Sequence, residues 1–370
     1  MVLQKQISMN TNEDWDDEEL EDVEGEQQDT LHIMHELEVT KGQESMRIDK
    51  YLMIRIEGAT RNKIQKNIDD NYVLVNNEPV KANYKVRPFD KITIYDHRTP
   101  EQTEVVPENI PLNIVYEDDQ LMIVNKPAGM VIHPGCGNYS GTLVNGLAYY
   151  LQDHDGGIPS LPRVGLVHRI DKDTSGIVVI AKTPEAMVDL SKQFKDHTVH
   201  RRYIALVWGN FEEEEGTINL HVGRHQRFRK IMATYPDGSL GKEAITHYKI
   251  LKRYNYVSLL ELRLETGRTH QIRVHMQSKG HPLFNDATYG GNRIVKGTVF
   301  TKYKQFVENC FRIIPRHALH AKELGFIHPS TKEYMQFNSE LPEDMLQAIE
   351  RWDTYVKGMT SQLKNQLNGE

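Results

Sequence analysis

The chain has 370 residues, enough for two compact domains and a tail when an ordinary domain takes about 100–200 residues. With 38% hydrophobic and 26% charged residues, and no run near the ~18 apolar residues of a membrane-spanning helix, it reads as a soluble globular protein with no membrane partner. The opening MVLQKQISMN lacks a secretory apolar run, and the two cysteines, Cys136 and Cys310, stand far apart. A disulfide framework, a thioredoxin-type motif and a cysteine zinc site are excluded, and a reducing cytoplasm is the default location.

The net charge of −7 is unevenly placed. Residues 1–40 hold thirteen acids against the single base Lys5, a net of −12, which leaves +5 on residues 41–370. The run from Glu13 to Glu26 repels itself and has too few apolar groups to offset the entropy of ordering, so 1–40 reads as a disordered acidic tail. Such a tail is ordinarily a solvated solubility segment; a sharper reading has it mimic nucleic acid on a basic surface.

A small module follows, over 45–97. Met46, Ile48, Tyr51, Leu52 and Ile54 form a stripe near helical period, and a second helix is predicted from Thr60 as N-cap through Ile64 and Ile68. Tyr72 to Val75 alternate as a strand, Asn76-Asn77 turns the chain, and Val80 to Ile94 holds two further strand patterns. Lys41 to Arg98 carries twelve bases and eight acids. The order MRIDKYL, TRNKIQKNI, YVLVNNEPVKANYKVRPFDKITI resembles the RNA-binding module shared by a small-subunit ribosomal protein and many RNA-modifying enzymes, the alpha-L motif. The resemblance implies that basic residues meet the phosphates of structured RNA, with Arg47, Lys50, Arg61, Lys63 and Arg87 in that role. Glycine is usual where this chain has Asn71 and Asn77, and asparagine tolerates the same left-handed backbone.

A proline-bearing linker over 98–113 leads to a second domain over 114–352, followed by a polar tail over 353–370. Strand patterns fall on LMIVNKP, GLVHRI, GIVVIAK, RYIALVWG, Ala244 to Leu251 and SLLELRLET; helical patterns fall on Thr142 to Leu151, Pro184 to Lys195 and Thr269 to Lys279. Strands adjacent in sequence with scattered helices predict an α+β domain built on a mixed sheet.

Two segments are dense in chemistry. In GLVHRIDKDTSGIVVIAK, Asp171 sits on a tight turn between apolar runs, where Thr174, Ser175 and Gly176 can fix its direction through local bonds and a positive φ. An isolated loop aspartate more often caps a turn, but a bare turn does not require His168 and Arg169 beside it. In LETGRTHQIRVHMQSKGHP, Thr269 is the expected N-cap and Arg273 lies in the first turns of a helix that already favours an anion.

HRIDKDTSG and ETGRTHQIRVH, with NKPAGMVIHPG upstream and RRYIALVWG between, resemble the RNA pseudouridine synthases of the RluA family, and the whole is most similar to the ribosomal large-subunit synthase D type. The resemblance covers roughly 45–350; the acidic tail, an insertion near Lys296 to Arg312, and His317 where glutamine is common depart from it. It implies the pseudouridine synthase fold, a largely antiparallel mixed sheet, and a reaction without cofactor or metal in which uracil leaves C1′ of ribose, rotates and rejoins through C5. Asp171 is then the catalytic aspartate, acting on the sugar as nucleophile or as base. Arg273 would pair with it and keep it ionised. Tyr203 would stack on the flipped base and could help remove the C5 proton. Base flipping is cheapest in loops, so the partner is a stem-loop of RNA, ribosomal first and transfer RNA second. His168, Arg169, Arg224, Arg227, Arg229 and Arg268 are the remaining RNA-binding candidates. The alternative class is a catalytically silent RNA-binding assembly factor; a monomer is expected in either case.

Other chemistries fail on context. HRIDKDTSG lacks the glycine-rich loop and DFG of a kinase, GCGNYSG is one residue too long for a dinucleotide fingerprint, and no histidine pair has zinc spacing. Asp171 and Asp173 are too close on one turn to serve as opposed glycosidase carboxylates.

Overall fold

The computed structural model describes residues 32–43, 45–56, 61–96, 105–135, 138–152, 162–228, 230–298 and 300–367. The acidic run Glu13 to Glu26, the expected cap Thr60, Cys136, Arg229 and the side chain of Lys63 lie outside the described residues. The chain divides into two units, Met1–Glu104 with Gly135–Tyr139 and Val105–Pro134 with Ser140–Glu370.

The first unit packs α1 (Ile48–Arg55) and α2 (Arg61–Asp69) with a four-stranded antiparallel sheet. Its strands are β1 (His32–Glu38), β2 (Val73–Val75), β3 (Glu78–Pro79) and β4 (Lys91–Asp96), in the order β1-β4-β2-β3. Ile48, Tyr51 and Leu52, one turn apart on α1, share a core with Ile64, Ile68, Val73 and Ile92. Asn76 and Asn77 take φ of 52° and 67°, the left-handed pair that a two-residue hairpin turn needs. Asn71 is left-handed too, at 61°. Two expectations change here. Strand β1 pairs with β4 inside the stretch that composition marks as tail, because Leu37 and Val39 join the core. Between Val80 and Asp90 turns replace a strand, held by buried Asp90, which accepts hydrogen bonds from Asn76, Tyr84 and the Arg87 amide.

The second unit is built on a ten-stranded sheet. In chain order its strands are β5 (Ile114–Glu117), β6 (Leu121–Lys126), β7 (Ser175–Ala181), β8 (His200–Trp208), β9 (Glu215–Arg224), β10 (Met232–Tyr235), β11 (Lys242–Arg253), β12 (Val257–Leu264), β13 (Leu319–Ile327) and β14 (Tyr334–Asn338). They run in the order β10-β9-β11-β12-β8-β13-β7-β6-β5, with β14 beside β13, and every pair is antiparallel except β13 with β7. The helices are α3 (Leu143–Tyr150), α4 (Pro184–Lys195), α5 (Gln271–Ser278), α6 (Thr301–Ile313) and α7 (Glu343–Leu367). Strand alternation divides the core. Tyr203, Ala205 and Val207 of β8 pack with Ile272 and Met276 of α5, while Ile204, Leu206 and Trp208 pack with α6 and α7.

Three sequence expectations differ in this unit. The polar tail over 353–370 is instead the continuation of α7 to Leu367, because Trp352 is fully buried against Trp208 and Tyr355 and Val356 pack behind it. Removing one such aromatic from water contributes roughly 3 kcal/mol, enough to hold helix that composition alone marks as polar. The second half of the linker joins this unit, since Val105 and Leu112 pack on its core and the Asn145 side chain donates to Val106 O. GLVHRI forms only a single bridge, Leu166 to Ile180, because the His168 imidazole accepts the Val179 N–H at 3.0 Å in place of a strand carbonyl.

Candidate active site

The turn bearing Asp171 opens β7 and is fixed from three directions. The Thr174 amide donates to Asp171 O, closing the turn. Buried Lys126, at the end of β6, donates to the carbonyls of Pro127, Met130 and Lys172 at 2.8–2.9 Å. Arg316 donates to Asp173 O at 2.9 Å, and its guanidinium is itself held by Asp344 at the start of α7. Thr174 and Ser175 bond buried histidines instead of loop backbone: Thr174 Oγ1 meets His317 Nε2 and Ser175 Oγ meets His320 Nδ1, each at 2.9 Å. Gly176 has φ of 123°, and a Cβ there would stand 2.1 Å from Ala321 O, so the parallel β7–β13 junction requires glycine.

Arg273 arrives from α5. Its Nη1 donates to Asp171 Oδ2 at 3.0 Å, and its Nε and Nη2 donate to Asp286 at 2.8 and 3.0 Å. Asp286 is wholly buried and also accepts the amides of Thr288 and Tyr289. The guanidinium lies 5.1 Å from the centre of the Tyr289 ring. Thr269 is not the cap of α5. His270 holds that position in a left-handed conformation without a capping bond, and the Gln271 side chain instead ties the entry by accepting the Arg268 amide and donating to Ile245 O.

Burial alone would raise the Asp171 pKa, but His270, Arg273 and His317, the two imidazoles charged only in the acid range where a carboxyl titrates, outweigh it and hold the carboxyl well below the usual range. Burial pulls His317 down to about 4 and lowers His270 as well, so Arg273 is the permanent cation of the group. Burial likewise draws Lys126 down to about 7, against the pull of Asp171 and Asp173. Tyr203 is 8% exposed, and its strand neighbour Ala321 pairs onward with Gly176, beside the Asp171 turn. Burial raises the Tyr203 pKa, Arg201 opposing it and Asp171 adding to it, so the phenol is protonated at neutral pH. An ionised, oriented carboxylate beside a buried aromatic ring can attack a sugar carbon or take a proton from one while a planar base rests on the ring.

Residues 120–278 match the family model for RNA pseudouridylate synthase, and 46–92 match the S4 domain. An uncharacterized RNA pseudouridine synthase of Chlorobaculum parvum is 45% identical over 88% of this chain and 99% of its own length. The chain belongs to the RNA pseudouridine synthase family. A ribosomal large subunit pseudouridine synthase D of Zymomonas mobilis is 41% identical over 81% of this chain and 91% of its own. Human RNA pseudouridylate synthase domain containing 4 shares the fold, at TM-score 0.50 and 20% identity over 65% of this chain and 93% of that one.

The synthase distributes its basic residues unevenly. In the S4 domain, buried Asp49 gathers Arg47 at 2.8 Å and Arg61 at 3.7 Å, leaving their side chains 40% and 54% exposed. Lys50 and Arg87 are exposed on the same domain. In the catalytic domain Arg227 is exposed at the β9–β10 hairpin, its guanidinium 5.3 Å from the exposed Phe228 ring, with Arg224 half-buried at the end of β9. That hairpin is tied to the active site by the Met232 amide, which donates to the Tyr289 hydroxyl. Arg169 is exposed next to Asp171, and Arg268 sits before α5 with its Nε on Glu243 O. His168 is the exception. Its Nε2 is taken by Val179 and its ring stacks on Phe194 at 4.5 Å, so it braces the Asp171 turn and is corrected from an RNA contact to a scaffold residue.

Sequence reasoning missed Lys126, His270, Asp286, Tyr289 and Arg316. Lys126 lies inside a motif that carried the resemblance, NKPAGMVIHPG, and its position before a proline at a strand end was the available signal. Asp286 gave none, since HPLFNDATYGG shows no pattern until the fold brings it to Arg273.

Proposed function

We propose that this synthase converts uridines of large-subunit ribosomal RNA to pseudouridine, as a monomer in the cytoplasm. Asp171 acts on the ribose of a flipped uridine. The N1–C1′ bond breaks, the uracil turns, a C5–C1′ bond forms, the C5 hydrogen leaves and N1 gains one, so the reaction is an isomerisation and calls for no redox partner. Arg273 keeps Asp171 ionised, Tyr203 offers the base a flat face, and Arg169 fills the place the base leaves. Arg47, Lys50, Arg61, Lys63, Arg87, Arg224, Arg227, Arg229 and Arg268 neutralise phosphates.

The observation that carries this reading is the Asp171–Arg273–Asp286 frame, in which one half-buried carboxylate is held ionised by a cation that is itself locked in place. The substrate assignment draws on relatives named as large-subunit synthases of the D type. Among the described residues no helix is long and apolar enough to cross a membrane. Carbodiimide-dependent reverse-transcription stops, mapped across total RNA from cells with and without the gene, test it. Stops lost from large-subunit ribosomal RNA and restored by wild type support the assignment; losses confined to transfer RNA move the substrate, and an unchanged map removes the activity.

A further inference from the structure

His270 stands beside the Asp171 carboxylate. It takes φ of 50° and ψ of 19°, a left-handed backbone that is uncommon outside glycine but that histidine adopts more often than most residues, immediately before α5. The surrounding structure holds it there, because the Val274 amide bonds His270 O and the imidazole is anchored to Tyr289.

The anchor also fixes where the imidazole hydrogen lies. The Met232 amide donates to the Tyr289 oxygen at 3.0 Å, and Tyr289 Oη lies 2.9 Å from His270 Nδ1. Tyr289 is buried, and burial raises its pKa, so it keeps its hydrogen. Among the described residues Nδ1 is the acceptor in reach of that hydrogen, which makes Nδ1 the bare nitrogen and Nε2 the one that carries hydrogen. Nε2 lies 3.9 Å from Asp171 Oδ2, the oxygen that also accepts Arg273 Nη1 at 3.0 Å. Two donors therefore face Oδ2, and among the described residues no hydrogen bond reaches Oδ1.

We propose that His270 is a positioning residue whose Nε2–H closes on Asp171 Oδ2 when RNA binds, pinning the carboxylate so that Oδ1 is the atom that meets the ribose. A single bond from Arg273 leaves the carboxylate free to swing about it; a second donor on the same oxygen stops that rotation. Burial holds the His270 pKa below its ordinary value, in keeping with an uncharged donor. The contact is longer than a hydrogen bond in the free enzyme, as catalytic contacts commonly are before substrate tightens them.

This rests on Asp171 being the reacting carboxylate, and two readouts keep the claims apart. The first needs no turnover: long-range proton–nitrogen spectra of the full-length enzyme labelled with 15N-histidine, the His270 signals assigned by their loss in His270→Gln. The proposal expects the Nε2–H neutral form at pH 7.5, shifting toward a mixture in Tyr289→Phe; an Nδ1–H form or an imidazolium overturns it. The second is single-turnover isomerisation of an unmodified large-subunit ribosomal RNA transcript. His270→Phe should lower the rate about a hundredfold with RNA affinity unchanged, the scale of a misplaced reacting group. His270→Gln, whose amide NH2 sits near the place of Nε2, should recover most of that loss. Equal impairment of both variants, or a His270→Phe rate within a factor of about three of wild type, a difference of only about 0.65 kcal/mol in barrier, overturns the proposal. A wild-type enzyme inactive on the transcript counts against the substrate assignment, while the spectra still decide the tautomer claim.

Discussion

Asp286 holds Arg273 more firmly than Asp171 does: two hydrogen bonds of 2.8 and 3.0 Å join the first pair, and one of 3.0 Å joins the second. The buried carboxylate positions the cation, and the cation presents its remaining edge to Asp171, the carboxylate proposed to react. The expected charge balance also follows, because two carboxylates share one guanidinium and Asp171 retains its negative character toward the ribose.

Asp286→Ala should therefore be more damaging than its distance from the reacting atoms suggests. It leaves an arginine side chain that is 7% exposed without its main partner, a change worth about 3–5 kcal/mol in buried ion pairs. Urea denaturation should show a loss of that order, and single-turnover rates should fall in the fraction that remains folded.

Arg273→Met should move the acid limb of the pH–rate profile upward. The Asp171 pKa is held low in the wild type, so its carboxylate is ionised throughout the neutral and mildly acid range. Without the permanent cation, burial acts to raise that pKa, and activity should be lost at a higher pH as acid is added. The sign for stability is the same: a carboxyl depressed in the folded state stabilises above its unfolded pKa, and that contribution disappears as pH falls through the folded value. Profiles from pH 4.5 to 8, about the span over which carboxylate and imidazole groups titrate, should be flat on the acid side for wild type and falling for the variant.

Lys126→Met should unfasten the Asp171 turn. The Pro127 and Met130 carbonyls lose their donor while Lys172 O keeps only the Gly129 amide, and an unsatisfied buried acceptor costs about 1–3 kcal/mol. Amide hydrogen exchange should speed up at Thr174, whose N–H closes the turn on Asp171 O, while the S4 domain should exchange as in wild type. Unchanged exchange at Thr174 would mean that Arg316 and His317 alone suffice.

Arg61→Ala should weaken RNA binding with little effect on folding. Its side chain is 54% exposed and meets Asp49 only at 3.7 Å. Each lost phosphate contact lowers the slope of log affinity against log salt by about 0.9 on duplex and 0.7 on single strands. Filter-binding titrations over a range of salt should show that reduction, with kcat unaltered at saturating RNA.

Much of this was legible in the sequence. Helix α4 runs from Pro184 to Lys195 as its periodicity predicts, because Thr183 caps it, Pro184 starts it, and its apolar face meets one core. Asp171 and Arg273 were visible because each lies in a short stretch whose residue types are unusual for a plain turn or helix. What stayed hidden depends on convergence from far along the chain. His317 lies 143 residues from Thr174, and Arg316 the same distance from Asp173. The extension of α7 was masked by its polar face, while Trp352, Tyr355 and Val356 face the core, and β1 was masked by acids on either side of its few apolar residues. His168 misled because an imidazole beside a catalytic turn looks functional until a backbone amide is found on its nitrogen.

The most direct test of the central claim is release of tritium from RNA labelled at uridine C5, since that hydrogen leaves only when the base rejoins through C5. Wild type should release label, and Asp171→Asn should release none while binding the same RNA within a factor of about two, a change of only about 0.4 kcal/mol. Release by Asp171→Asn at the wild-type rate, or a tenfold loss of its RNA affinity, would contradict the account and make Asp171 a binding or structural residue.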